Sequence, residues 1–385
     1  MMRATIAVVD IDRLRANFRL VRRHAEPAEV LAVVKAEAYG HGLVECAEIF
    51  RQEGAAMLGV AYVQEGIQLR QAGNPLPIVV LTPPQPDEAH LYARFQLQPL
   101  ACSLPVMETI AWEARRHGVR LEVHVAVDTG MRREGIEPAF ALEFLQRLSE
   151  LEGLQIVGLC THFATADEPD PSFFWEQWRR FRETVQQVET AGYRIPYVHA
   201  ANSAAMMRFF EARWTMVRPG IALYGYQPWD GGPRLPVQPV LQLKSRIVDI
   251  RYVRPGEGVG YHRLYRAQQE TTIVTVPIGY GDGYRYSLTG RAECLIRGRR
   301  FPVVGSVCMD EIMVDVGHEP VELGEEVVLL GEQGGEAIWA DEIACWLRTI
   351  PYEVLAGLSS RIPRLYVYGQ DADARHQLQG SLTGI

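Results

Sequence analysis

The sequence predicts an α/β fold in which an N-terminal (β/α)8 barrel is followed by a mostly antiparallel β domain, and two changes of texture carry that prediction. Eight short strand-like runs, at 30–34, 57–61, 77–81, 96–101, 121–127, 156–160, 196–199 and 214–217, are mostly separated by segments of helical periodicity. Beyond about residue 235 the chain turns instead to alternating apolar segments broken by glycine and proline. A chain of 385 residues, 48% of them hydrophobic, is long enough for two cores, so we divide it into domains 1–235 and 236–385.

Taken in order, the intervening segments justify the barrel. VQEGIQLRQAG, PVMETIAWEARRHG and PAFALEFLQRLSE repeat apolar residues at three and four, and glycine often follows the last turn. Strands alternating with helices specify a parallel sheet. Eight such units in about 200 residues are the dimensions of a closed barrel, with an open doubly wound sheet as the alternative. The linker falls in QPWDGGPRLPVQP, from Gln227 to Pro239, where neither helix nor strand propagates. After it, LKSRIVDIRYV, TTIVTVPIG, AECLIRG, RFPVVGSV, EIMVDVG and EEVVLLG read as antiparallel strands.

Composition excludes several classes of function. A net charge of -8 provides no basic field for nucleic acid or an anionic membrane surface, so the expected partner is a small molecule or a second copy of the chain. No apolar run has transmembrane length, and Asp10 and Asp12 interrupt the N-terminal apolar stretch before it resembles a secretory signal. Six cysteines without CxxC spacing argue against a zinc site and a disulfide framework, so no metal is expected and a cytoplasmic location is.

Of 39 basic residues only Lys35 and Lys244 are lysine. Arginine serves solubility and ion pairing equally well but does not readily lose its proton to become an amine nucleophile. Lys244 lies in an alternating strand without catalytic company. Lys35 ends the run LAVV, and VVKAEAYGHG places Tyr39 four residues on. An amine at the end of a hydrophobic strand is suited to Schiff-base chemistry, because desolvation favours its neutral form.

Other polar residues stand at equivalent places. Asp128 and Arg133 follow VHVAV, His162 follows IVGLC, Asn202 and Ser203 follow YVH, and Arg218 follows TMV. In a parallel barrel these positions share the C-terminal face, where loops from different strands converge on one site.

With these residues collected, the sequence resembles the alanine racemases over essentially its whole length. VVKAEAYGHG is similar to the family's cofactor-lysine motif and DTGMRREG to its DTGMGRLG segment. THFATAD, HAANSAA, VRPGIALYG, GVGYHRLYRA, PIGYGDGY, VCMDEIMVDV and TIPYEVLAGLSSRIPRLY follow in the family's order. The resemblance implies interconversion of L- and D-alanine with pyridoxal 5'-phosphate, supplying D-alanine for peptidoglycan. Lys35 would carry the cofactor as a Schiff base and act as one catalytic base. Tyr261 would be the other, reaching the opposite face of the substrate from a partner subunit, so that a homodimer shares its sites.

The resemblance also implies that Arg218 binds the pyridine nitrogen, supported by His162, and that Arg133 contacts the cofactor's phenolic oxygen and the substrate carboxylate region. Tyr39, Ser203, Gly220, Ile221 and Tyr352 would bind the phosphate, with Asn202 among the cofactor-binding residues. Met309 would line the substrate pocket, and Tyr280 and Asp310 the entry corridor. Some family members carry a carbamylated lysine at the position of Ala126, where its charge positions the arginine equivalent to Arg133. Arg132 and Glu134 likewise stand where the family usually has glycine and leucine. A broad-specificity or serine racemase of the same fold is the nearest alternative. A decarboxylase would lack Arg218 and Tyr261, and a non-catalytic cofactor-binding barrel would lack the β domain.

Overall fold

The computed structural model describes residues 3–229 and 234–369, so residues 230–233 of the expected linker lie outside the described residues. The described residues form two compact units: residues 14–38, 43–229 and 234–238 make one, and residues 3–13, 39–42 and 239–369 the other.

β1 (Ile6–Asp10) leads into the helix Ile11–Ala25, and the barrel unit follows. Its eight strands are β2 (Glu29–Val33), β3 (Met57–Val60), β4 (Ile78–Val80), β5 (Leu100–Ala101), β6 (Leu121–Ala126), β7 (Leu154–Cys160), β8 (Tyr197–His199) and β9 (Met216–Val217). Each overlaps one of the eight expected runs. All pairings are parallel, in the order β4-β3-β2-β9-β8-β7-β6-β5. The sheet closes through Gln98, whose carbonyl accepts from Val80 N–H at 2.9 Å and whose N–H donates to Ile78 O at 2.8 Å. Amphipathic helices cover it; in Ala141–Ser149 the buried Ala141, Phe144, Leu145 and Leu148 recur at helical spacing.

In the second unit one large sheet runs β11-β14-β17-β16-β15-β18-β10-β1-β20, with β19 on β18. These strands are β10 (Leu241–Arg246), β11 (Asp249–Val253), β14 (Thr271–Val276), β15 (Glu293–Ile296), β16 (Arg299–Val304), β17 (Ile312–Gly317), β18 (Glu326–Gln333), β19 (Glu336–Ile338) and β20 (Arg364–Val367). Only β1 and β20 pair in parallel. The short strands β12 (Gly258–Val259) and β13 (Tyr265–Arg266) form a separate hairpin.

The division at residue 235 needs one correction. β1 pairs antiparallel with β10, Ile6 opposite Lys244, and so belongs to the large sheet instead of the barrel. Its apolar alternation suits either sheet, and only a partner more than 230 residues away decides between them.

Candidate active site

Lys35 leaves β2 through a turn of left-handed backbone. Ala36, Glu37, Ala38 and Tyr39 have φ of 54°, 54°, 51° and 55°, where an L-residue is destabilised by roughly 1–2 kcal/mol. Hydrogen bonds to the end of the preceding strand and to two carboxylates help hold the turn. Ala36 N–H donates to Glu65 Oε1 at 2.6 Å, Ala38 N–H to Val34 O at 2.8 Å, and Leu43 N–H to Glu37 Oε2 at 3.3 Å. Glu65 also accepts from Ala61 and Tyr62 N–H, tying the ends of β2 and β3 together. Such concentrated strain accompanies functional positions.

The Lys35 amine makes no hydrogen bond or ion pair among the described residues. Burial lowers its pKa, the Arg133 and Arg218 guanidinium groups lower it further, and the carboxylates of Glu65 and Glu134 oppose them.

Arg218 is buried and has no carboxylate partner among the described residues. Its Nη1 donates to His199 Nδ1 and His199 O, both at 2.7 Å. Nη2 donates to Thr161 O at 2.7 Å, to His162 Nδ1 at 3.2 Å and to Ala200 O at 3.3 Å. Nε–H alone has no acceptor among the described residues, which leaves one directed donor for a ligand. Burial and then the Arg218 charge push His162 and His199 well below the ordinary histidine range, so both rings are neutral acceptors toward the guanidinium.

Ser203 Oγ accepts from Gly220 N–H at 3.0 Å and Ala222 N–H at 3.3 Å, which joins the end of β8 to the turn after β9. Ile221 begins that turn. Asn202 caps the helix Ser203–Arg208 by accepting from Ala205 N–H at 2.9 Å. Arg133 forms a two-pronged pair with its neighbour Glu134, Nε to Oε2 and Nη2 to Oε1, each at 2.6 Å. Lys35, Arg133, His162, Asn202, Ser203, Arg218, Gly220 and Ile221 all lie in the barrel unit.

The remaining expected residues belong to the second unit. Tyr39 and Tyr352 have ring centroids 6.0 Å apart, and burial raises the pKa of the Tyr39 hydroxyl. Tyr261 follows Gly260 at the tip of the β12–β13 hairpin and is 67% exposed. Tyr280 and Met309 are also exposed, on neighbouring segments joined by bonds from Tyr280 N–H to Cys308 O and from Gly281 N–H to Met309 O, both 2.9 Å. Asp310 accepts from Arg361 Nη2 at 2.5 Å.

Sequence reasoning missed the groups that hold Arg218 and Lys35. His199, His124, Gln98 and Glu122 form a connected series inside the barrel, and Glu65 anchors the left-handed turn. The available signal was a histidine within each of two otherwise apolar strands, VHVAV and YVH.

Residues 9–228 match the family model described as "Alanine racemase, N-terminal domain", and residues 240–366 match "Alanine racemase, C-terminal domain". An alanine racemase of Halothermothrix orenii is 40% identical over 367 residues, which cover 94% of this chain and 97% of that protein. The Bacillus anthracis alanine racemase structure with bound L-Ala-P superposes with a TM-score of 0.90 at 36% identity, covering 95% of this chain and 96% of that one. The Bartonella henselae alanine racemase, with covalently bound pyridoxal phosphate, gives a TM-score of 0.85 at 27% identity, covering 94% of this chain and 99% of that one.

Proposed function

This chain belongs to the alanine racemase family, and from that premise we propose that it interconverts L- and D-alanine with pyridoxal 5'-phosphate bound at Lys35, so supplying D-alanine for peptidoglycan. One observation carries the reading. An amine free of hydrogen bonds at the end of β2 shares its pocket with a buried arginine that has a single uncommitted N–H and no carboxylate partner among the described residues.

That donor set fits the cofactor. Lys35 would hold its carbonyl carbon, Arg218 Nε–H would donate to the ring nitrogen, and Ser203, Gly220, Ile221, Tyr39 and Tyr352 would hold the phosphate, with Asn202 fixing the helix that begins at Ser203. When bound, pyridoxal phosphate supplies the electron sink for the carbanion formed at the substrate Cα.

The residues divide the remaining work. Arg218 keeps its proton because guanidinium releases one reluctantly, so toward the ring nitrogen of a bound cofactor it would offer a hydrogen bond without transferring a proton. His162, held neutral, accepts from Arg218 without competing for that proton. Lys35, with its proton affinity reduced by burial and by two neighbouring guanidinium groups, removes the α-proton from one face or returns one to it. Tyr261 performs the converse transfer on the opposite face, and the pair inverts the centre.

The exposure of Tyr261, Tyr280 and Met309 supports their delivery to a partner's site by the β domain that follows residue 235, hence a homodimer with shared sites. Asp310 would stand with Tyr280 in the corridor, and Met309 and Arg133 would contact substrate. No helix among the described residues is long and apolar enough to cross a membrane.

The test is to incubate purified protein and pyridoxal phosphate with a panel of L-amino acids and quantify D products by chiral chromatography. D-alanine dominating the products is the expected result. Dominant D-serine or a broad product range would replace alanine as the substrate, and the absence of every D product would overturn racemisation.

A further inference from the structure

The loop after β6 carries Arg133, and its folding fixes where Glu134 lies. Asp128 Oδ1 accepts from Gly130 N–H at 2.9 Å and from Arg132 N–H at 3.0 Å, curling the chain, while Arg132 adopts φ 56°. The loop then returns to its own strand. Asp128 N–H donates to Ile136 O at 2.9 Å, and Ile136 N–H to Ala126 O at 2.8 Å. Gly135, at φ 113°, lies so close to this strand end that a Cβ there would stand 2.7 Å from Asp128 N and 3.2 Å from Ala126 O. Glu134 is therefore pinned beside the end of β6.

Its side chain is only 13% exposed, although it carries a charge. Around that strand end Ala126 packs with Leu100, Cys160 and Cys102, which supply no cation. Burial raises both thiols, and the Glu134 charge adds to the rise at each, which places the carboxylate near the cluster. Both carboxylate oxygens are committed to Arg133, whose Nη1 has no acceptor among the described residues. Side chains of consecutive residues usually diverge, so this closed fork is a product of the loop.

Charge gives the arrangement its purpose. Lys35, Arg133 and Arg218 bring three cations together, and the carboxylates that act on Lys35 are Glu65 and Glu134. Glu65 is bound by the backbone of Ala36, Ala61 and Tyr62. Glu134 is the one that grips a guanidinium.

We propose that Glu134 is a built-in anion that fixes the Arg133 guanidinium and turns its free Nη1 toward the substrate carboxylate, so that this enzyme needs no modified lysine at position 126. Glu134 is a positioning residue, because it acts through Arg133. The inference rests on the amino-acid site proposed above, and it deepens that reading by naming what supports the carboxylate contact.

The experiment uses holoenzyme in gluconate buffer free of chloride and bicarbonate, with and without added chloride. Wild-type kcat/KM for alanine should change by less than about twofold on adding chloride, while E134L should show KM raised about tenfold or more with a smaller change in kcat. Chloride should recover part of the E134L loss, and E134D should retain more than E134Q. A second readout does not depend on turnover. Propionate, which is alanine without its amino group, should perturb the visible absorbance of the cofactor in wild type at about tenfold lower concentration than in E134L. Unchanged KM and propionate response in E134L would overturn the proposal. So would a several-fold chloride activation of the wild type, or an E134L defect that no halide relieves and that accompanies a lowered Tm, since the last marks a structural role. If wild type racemises nothing, the proposed function fails, and the propionate comparison still decides the role of Glu134.

Discussion

The Arg218 guanidinium donates through Nη1 to His199 Nδ1 at 2.7 Å, and this one bond orients a series of buried groups. Arginine can only donate, so His199 Nδ1 is the acceptor and its proton lies on Nε2. Nε2–H then donates to His124 Nδ1 at 2.9 Å, His124 Nε2–H to Gln98 Oε1 at 2.9 Å, and Gln98 Nε2 to Glu122 Oε2 at 2.5 Å. All four bonds run in one direction, from Arg218 through the barrel to a partly buried carboxylate. The series holds both histidines neutral in a single tautomer, which a proton on either ring would break.

Stability should therefore be lost in mild acid. Burial and then the Arg218 charge depress His124 to about 3 from its ordinary 6.5, so the unfolded chain binds a proton that the folded chain refuses. The contribution is fully present above pH 6.5 and declines as pH falls towards 3, by about 1.4 kcal/mol per pH unit for each histidine held this way. Denaturant melts at pH 7.0, 6.0 and 5.0 should show falling midpoints. A flat profile through that window would contradict neutral burial, and a His124→Gln variant should have a shallower slope than wild type.

Gly158 makes room for this series. A Cβ at 158 would stand 1.9 Å from His124 Nδ1, an overlap that no rotamer change at 158 relieves. Gly158→Ala should destabilise the barrel by about 3 kcal/mol and lower activity by displacing the support of Arg218. Equal midpoints for variant and wild type in chemical denaturation would show that His124 moves aside freely.

Lys35→Ala should eliminate racemisation and remove the visible absorbance that the holoenzyme carries. The folded state should be retained, because the amine makes no hydrogen bond or ion pair among the described residues. Absorbance and circular dichroism of the same preparation check both. Persistence of the wild-type spectrum would place the cofactor on another group.

Tyr261→Phe should keep the cofactor and lose activity by about two orders of magnitude or more, the usual scale of removing a proton-transfer group, with the step from the L enantiomer slowed most. Mixing Tyr261→Phe with Lys35→Ala under subunit exchange should restore part of the activity, since one of the two mixed sites then contains both bases. Demonstrated heterodimers without recovery would rule out shared sites.

Much of this was legible before any coordinates. The eight barrel strands were legible as short strand-like runs, several of them continuously apolar and most separated by helical segments. Lys35, His162 and Arg218 stood out because a polar residue close after a buried strand is conspicuous, and Arg133 and Ser203 because they sit in the loops that follow such strands. His124 and His199 did not. They lie within strands buried on both faces, where no alternation separates the barrel interior from the helix-facing side, and their partners are 75 and 26 residues away for His124 and 19 for His199.

By itself the sequence determined the alternation of strands and helices, the change of texture after residue 235 and the chemical identity of the site residues, all of which are written in local pattern. Only the tertiary structure decided that β1 joins a strand near residue 244, that alanine, glutamate and tyrosine adopt left-handed backbone after Lys35, and that Glu134 turns back onto Arg133. Those outcomes depend on contacts that override local preference. Residues 36–39 favour ordinary right-handed or extended backbone, and the turn persists because Glu65, supplied by another strand-helix unit, binds its first N–H.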